Sequence, residues 1–241
     1  MRPRSSGHQI AVNGLLLIAV LLGLLIAGYS QTSGIPQGFK PIFNGRNLQG
    51  WHISRTDHHG STPDATVEHG VLSLKQSPYG QGGLLLTNKR YRNFELYLEV
   101  KTPRGCNSGI FLRSTEGGSA YQIELDQGRG TGNLLGENLD VSQQAKADRL
   151  PTVWKTGDWN SFRIRMVGSA PHITEWVNGV EMWDVQEPRN DKIADEADGM
   201  IGLQTHWASL YEPARESFNL PGSWRPAASY QFRRIAIEEL P

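Results

Sequence analysis

Hydrophobic and polar residues alternate in short runs along most of this chain, the period-two signature of half-buried strands. Ten runs predict strands: residues 70–75, 83–87, 94–102, 108–114, 120–126, 161–167, 172–177, 180–185, 200–206 and 230–238. In one of them Phe162, Ile164 and Met166 alternate with Arg163 and Arg165. Asn178-Gly179 separates two others, and Asn-Gly is the favoured two-residue hairpin turn because both residues tolerate positive φ. A helical period survives for no more than a turn or two, the one exception being residues 141–150. Many short strands at regular spacing predict an all-β fold, a two-sheet antiparallel sandwich or jelly roll. Residues 128–153, 186–198 and 208–229 predict long loops, which in a compact domain either wall a site or decorate it.

The same alternation puts polar side chains where a sheet would otherwise be apolar. In 120–126, Gln122, Glu124 and Asp126 share one face, and Tyr121, Ile123 and Leu125 the other. In 200–206, Gln204 and His206 lie opposite Ile201 and Leu203. Arg113 is expected on the face opposite Ile110 and Leu112. In 94–102, Glu95, Tyr97, Glu99 and Lys101 face away from Phe94, Leu96, Leu98 and Val100. If these strands share a sheet, their polar groups converge on one surface suited to a hydroxyl-rich ligand. Glu99, Arg113, Gln122, Glu124, Asp126, Gln204 and His206 are therefore expected to line one cleft.

Composition narrows the function. Lys plus Arg and Asp plus Glu both number 24, so the chain lacks the basic surplus of a nucleic-acid binder. The single cysteine, Cys106, allows no internal disulfide, and no base stands near it in sequence to make it a nucleophile. No nucleophile elbow, phosphate loop or dinucleotide fingerprint is present. Glu124-x-Asp126 lacks the second glutamate of the retaining β-glucanase motif, which argues against hydrolysis by two carboxylates about 5–5.5 Å apart. His206 is a candidate general base, since an imidazole titrates near neutrality. His58 and His59 adjoin Asp57 in a predicted loop. No strong zinc pattern occurs, no cofactor is indicated with certainty, and a divalent cation such as calcium, held by carboxylate and carbonyl oxygens, stays open.

The N-terminus reads as an export signal. Arg2 and Arg4 precede an apolar run between Gly14 and Gly28, and Gly28 and Ser30 place small residues ahead of Gln31 as at a cleavage site. The run falls short of the ~20 residues of a spanning helix, which favours a cleaved signal peptide over an uncleaved anchor. The expected organisation is a leader over 1–30, a linker over 31–38 and one domain over 39–241. The domain is then periplasmic, extracellular or anchored to the outer side of the inner membrane, touching the membrane only through residues 1–30 if they stay attached.

Several motifs, in order, carry a family resemblance. They are Pro41-Ile42-Phe43-Asn44-Gly45-Arg46-Asn47-Leu48-Gln49-Gly50-Trp51, then Leu86 to Leu96, then Asn107-Ser108-Gly109-Ile110-Phe111-Leu112-Arg113. Gly157-Asp158-Trp159-Asn160, Val177-Asn178-Gly179, the run from Gly199 to His206 and Phe232-Arg233-Arg234-Ile235 follow. In this order they resemble the 3-keto-disaccharide hydrolase family over essentially all of the predicted domain. Where family members commonly carry glutamate before glutamine, this chain has Gln122 before Glu124.

The resemblance implies a concanavalin A-like jelly roll, exported and acting on carbohydrate: a keto-sugar glycoside as substrate, no nucleic-acid partner. A ketone at C3 acidifies the proton at C2, so a base can remove it and expel the C1 substituent; water then adds, giving net hydrolysis. His206, Glu124 and Arg113 are the expected catalytic groups, with Arg113, Gln204 or a cation on the enolate. Glu99, Asn107, Gln122, Asp126, Gln204 and Trp207 are expected to bind substrate. The alternatives are a non-catalytic carbohydrate-binding module, using Trp51, Tyr121, Trp207 and Trp224 as stacking platforms, and a purely structural exported domain.

Overall fold

A computed structural model describes residues 34–57, 59–60, 63–126, 130–142, 144–189, 198–207 and 224–241. The predicted leader and the first three residues of the linker lie outside the described residues. Every strand pairing is antiparallel.

One sheet has eight strands. Its path runs β12 (Val180–Gln186), β11 (His172–Val177), β10 (Asn160–Val167), β6 (Phe94–Lys101), β14 (Tyr230–Glu239), β4 (Val71–Gln76) and β3 (Pro63–Glu68), with β1 (Lys40–Pro41) also on β14. The other has six, in the order β2 (Trp51–Ile53), β5 (Gly83–Tyr91), β13 (Gly199–Thr205), β7 (Gly109–Ser114), β8 (Ala120–Glu124) and β9 (Leu134–Glu137). This is the two-sheet jelly roll that the alternation predicts. Each of the ten expected strands forms; nine end within two residues of the expected bounds, and β5 runs on four residues past its expected end, to Tyr91. Asn178 and Gly179 both take positive φ in the β11–β12 hairpin, as the Asn-Gly pair requires.

Four strands escape the pattern: β1, β2, β3 and β9. β1, β2 and β9 run from two to four residues, and β9 breaks its alternation at Gly136, so they offer little period to detect. β3, by contrast, alternates Pro63, Ala65 and Val67 with Asp64, Thr66 and Glu68, so its period is present although it is not among the expected strands. Residues 144–149 form no helix; a single 3₁₀ turn follows at Leu150–Thr152.

The core fills the space between the sheets. Leu72, Leu74, Leu96, Leu98, Phe162 and Ile164 meet Ile110, Leu112, Ile123, Ile201 and Leu203, all of them out of contact with solvent. Burial of one such side chain is worth about 1.5–3 kcal/mol. A carboxyl group interrupts this apolar layer. Glu175 on β11 sits in register with Ile164 of β10 and faces inward with it. Neither of its oxygens has a hydrogen-bond partner among the described residues, and the Trp183 indole N–H donates instead to the Gly132 carbonyl, 2.7 Å away. Desolvation by burial raises the Glu175 pKa well above the ordinary carboxylate range.

A smaller apolar cluster, Leu84, Leu86, Phe111, Ala120 and Met200, lies on the other face of the six-stranded sheet. The segment after β2 crosses this face. Ser54 donates from its hydroxyl to the Glu116 carbonyl, and the His59 ring meets Phe111 edge-on at 6.3 Å. That crossing brings the candidate site together.

Candidate functional site

The outer face of the six-stranded sheet carries polar residues in rows set by strand register. Glu124 of β8 pairs with Gly109 of β7, and Leu203 of β13 pairs with Ile110, so Gln204 comes level with Gly109. One row therefore reads Glu124, Gly109, Gln204. Two residues further along the same strands lie Asp126, Asn107 and His206. On the inner side of the first row, Gln122 pairs with Phe111.

Gly109 makes this arrangement possible. A Cβ there would fall 2.3 Å from the Gln122 amide nitrogen, so only glycine lets that side chain cross strand β7. Gln122 donates through Nε2 to Gln204 Oε1 at 3.3 Å. Gln204 Nε2 lies 2.8 Å from His59 Nε2, and His59 Nδ1 lies 3.1 Å from Asp57 Oδ1. With the amides oriented to complete the chain, Gln204 Nε2 donates to His59 Nε2, and His59 Nδ1 donates to Asp57. All four residues are buried, and the chain runs from amide to amide to imidazole to carboxylate.

His206 stands at the edge of this chain, half-buried. Its ring meets that of His59 at 5.5 Å and 70°, and Trp207 stacks on its other neighbourhood at 5.8 Å and 16°. The backbone here is held from the other sheet: Gln76, at the end of β4, donates to the His206 carbonyl at 2.6 Å. The β4–β5 connection presses against the same place, since a Cβ on Gly82 would fall 2.1 Å from the Thr205 carbonyl oxygen. Trp207 is 52% exposed, the most open large aromatic among the described residues.

Glu124 is half-buried with its carboxylate against Gly130, where a Cβ would lie 1.9 Å from Oε2. Asp126 is buried, and Asn107 Nδ2 lies 3.4 Å from its Oδ2. Asn107 Oδ1 is buried with no hydrogen-bond partner among the described residues. Tyr230 sits behind this row. Burial first, then the charges of Cys106, Asp126 and Glu124, push its phenol well above the usual range.

Seven of the nine expected site residues, Asn107, Gln122, Glu124, Asp126, Gln204, His206 and Trp207, thus gather at one end of one sheet face. Two do not. Glu99 belongs to β6, in the eight-stranded sheet, and faces outward there. Its carboxylate accepts from Arg233 at 2.6 Å and Arg234 at 2.7 Å, and from the Tyr97 hydroxyl at 3.0 Å. Arg113 sits near the opposite end of β7, where Ser114 pairs with Met200. A bulge there gives Arg113 a φ of 51° and resets the alternation, so its side chain closes the end of the sandwich. The guanidinium donates to the carbonyls of Arg92, at 2.8 Å from Nε, and Gly168, at 2.7 Å from Nη1. Burial lowers its pKa to about 10. Neither group can join the cleft.

Asp57 and His59 lie close together in a predicted loop but are not among the expected site residues, because loop residues follow no period that would assign them to a face. The aspartate two residues before a histidine was the one available signal. Of the aromatic platforms expected of a binding module, Trp51, Tyr121 and Trp224 are core residues, at 6%, 2% and 1% exposure. Cys106 is buried too, its thiol pushed up to about 11 chiefly by desolvation, which fits a packing residue. Among the described residues no group of three or more His, Cys, Asp or Glu side chains is arranged to hold a metal ion.

Comparison with known proteins places this geometry. The chain is similar to a 3-keto-disaccharide hydrolase of Bacteroides thetaiotaomicron, at 26% identity over 70% of this chain and 74% of the relative. Among solved structures, it is similar in fold to a protein of Parabacteroides distasonis described as a glycosyl hydrolase (TM-score 0.54, 19% identity, 88% of this chain and 97% of that one). A Bacillus licheniformis β-glucanase shares the fold at a TM-score of 0.51 and 13% identity, covering 84% of this chain and 97% of that one. The model of the 3-keto-alpha-glucoside-1,2-lyase-like domain matches residues 38–237, which include both rows of the site, and the chain belongs to that family.

Proposed function

We propose that this protein cleaves the glycosidic bond of 3-keto-glycosides by elimination followed by hydration. The observation that carries the reading is the composition of the gathered face: one edge imidazole, His206, backed by a neutral amide–imidazole chain that ends on Asp57. Such a face suits removal of a carbon-bound proton better than protonation of an unactivated ether.

In this reading His206 accepts the C2 proton of the keto-sugar. The electron pair left at C2 delocalises onto the C3 oxygen as an enolate. The pair then returns, the C1–O bond breaks, and the departing oxygen takes a proton. Water adds at C1 of the resulting enone, and a proton returns to C2. The sum is hydrolysis. Amide N–H groups of Gln204 and Asn107 supply donors toward the enolate oxygen: each primary amide carries two N–H bonds, and the Gln204 contact to His59 occupies one. Glu124, in the adjacent row, protonates the leaving oxygen. Trp207 offers an apolar plate on which a sugar ring stacks.

The test is incubation of the purified protein in D₂O with paired 3-keto- and 3-hydroxy-glycosides, read by mass spectrometry. Release of aglycone from the keto member alone, with deuterium at C2 of the freed sugar, is the expected result. Equal cleavage of both members would overturn the elimination route.

A further inference from the structure

The run Gly157-Asp158-Trp159-Asn160 has no part in the site above, and Glu99 was expected there but lies on the other sheet. The structure brings the two together. On the outer face of the eight-stranded sheet is a hollow of about 250 Å³, whose lining includes Tyr97, Glu99, Lys155, Asp158, Trp159 and Arg233. We propose that this hollow is a second saccharide-binding site, one that takes a neutral sugar unit of an oligo- or polysaccharide. It does not depend on the chemistry proposed for the other sheet.

The first support is that its wall is built rather than incidental. Asn160 is fully buried and holds the loop before it: Oδ1 accepts from Lys155 N at 2.8 Å, and Nδ2 donates to the carbonyls of Lys155 and Asp158 at 3.0 and 3.1 Å. Asn178 of the hairpin turn ties in from the side, donating to Asn160 Oδ1 and to the Val153 carbonyl, each at 2.8 Å. A connected, satisfied network of this kind fixes a loop in one conformation. It sets Trp159 over the sheet, where the Arg233 guanidinium lies 4.1 Å from the ring centroid.

The second support is the floor. A bulge between Arg233 and Ala236, with Arg234 at a φ of 52°, lets two consecutive arginines reach the same carboxylate. Burial disfavours the Glu99 charge, but the hydrogen bonds from Arg234 and Arg233 outweigh it and hold its pKa below the ordinary value. The carboxylate is therefore ionised and rigidly held, with the Tyr97 hydroxyl beside it.

The lining settles the ligand class. Among the lining side chains two carboxylates, Glu99 and Asp158, face two cations, Lys155 and Arg233, and Arg234 closes on Glu99 from beside the hollow, so the acid on the floor is already paired rather than open to a cation. The hollow offers donors and acceptors in alternation next to aromatic rings, the combination that a polyhydroxylated ring satisfies on its edge and its face. Its volume is slightly below the roughly 300–1,000 Å³ of drug-sized pockets, which is room for a single ring.

The test is native affinity electrophoresis in gels containing barley β-glucan, dextran, soluble starch or xylan, run beside a non-binding marker. The wild-type protein should be retarded in at least one gel. Trp159→Ala should lose that retardation, and so should Ser161→Tyr, which fills the hollow from an outward position on β10 and leaves the Trp159–Arg233 contact in place should the first variant fold poorly. His206→Ala should migrate like wild type. The proposal is overturned if wild type is retarded in none of the four gels, if Ser161→Tyr is retarded as strongly as wild type, or if His206→Ala abolishes retardation. None of these readouts involves turnover, so loss of 3-keto-glycoside cleavage leaves them unaffected.

Discussion

The two sheets present outer faces that look alike in sequence and differ in kind. On the eight-stranded sheet the polar residues are ions in pairs: Glu95 with Arg163 and Arg165, Glu99 with Arg233 and Arg234. On the six-stranded sheet they are mostly neutral: Gln122, Gln204 and His59 pass hydrogen bonds along to a single carboxylate, Asp57. The first face neutralises each charge where it stands. The second sets this chain beside an edge, at His206, that solvent reaches. Proton transfer needs the second kind, because a carboxylate held by two arginines is a poor acceptor for a substrate proton.

The widest separation between the faces should appear in rate. His206→Ala should lower turnover of a 3-keto-glycoside by about 10²–10⁴-fold, the usual worth of a general base, with little change in melting temperature since the ring fills no core space. Steady-state kinetics beside a thermal melt would show it, and near-full activity would move the base to Glu124.

Gly109→Ala should strike the neutral chain without removing any of its members. A methyl group at the position now crossed by the Gln122 amide forces that side chain aside and costs about 1–3 kcal/mol by overpacking. Turnover should fall along with stability, measured by urea unfolding. A variant that keeps wild-type turnover would show that the Gln122–Gln204 contact is dispensable.

At the ionic face turnover should not change, and the effect on stability should be small. Glu99→Gln should leave turnover of a small keto-disaccharide unchanged and cost about 1–2 kcal/mol at neutral pH, its arginine partners being about a third exposed. The sign follows from its depressed pKa. The stabilisation is complete above the ordinary glutamate value and fades as pH falls through the lower folded value. Melting curves of wild type and variant should therefore converge as the pH is taken below about 4, near the unfolded glutamate pKa. A gap that stays constant with pH would contradict the ion-pair origin.

The contrast between faces also marks what a sequence can convey. Alternation assigns a side chain to one side of its own strand, so Gln122, Glu124 and Gln204 were legible together once β8, β7 and β13 were neighbours. It does not say which sheet a strand joins, and Glu99 has the same local pattern as Glu124 while sitting on the opposite side of the molecule. Nor does it see a bulge. Arg113 changes sides because an extra residue resets the parity, and nothing in Leu112-Arg113-Ser114 announces that. Asp57 and His59 lie in a loop, where contact is decided by the sheet the loop happens to cross. The core strands and the jelly roll were readable because burial and period reinforce one another there; the short strands β1, β2 and β9 supply too few residues for either to register.

Glu175 gives the core a thermodynamic property of another sort. A carboxyl that titrates near its ordinary value when unfolded and well above it when buried must gain a proton as the chain folds at any pH between the two. Its contribution is most favourable below the unfolded value and declines as pH rises toward the folded one, opposite in sense to Glu99. Folding is then a proton-consuming reaction across the mildly acidic range. The heat of unfolding measured there should vary with the ionisation enthalpy of the buffer, and Glu175→Gln should remove that dependence.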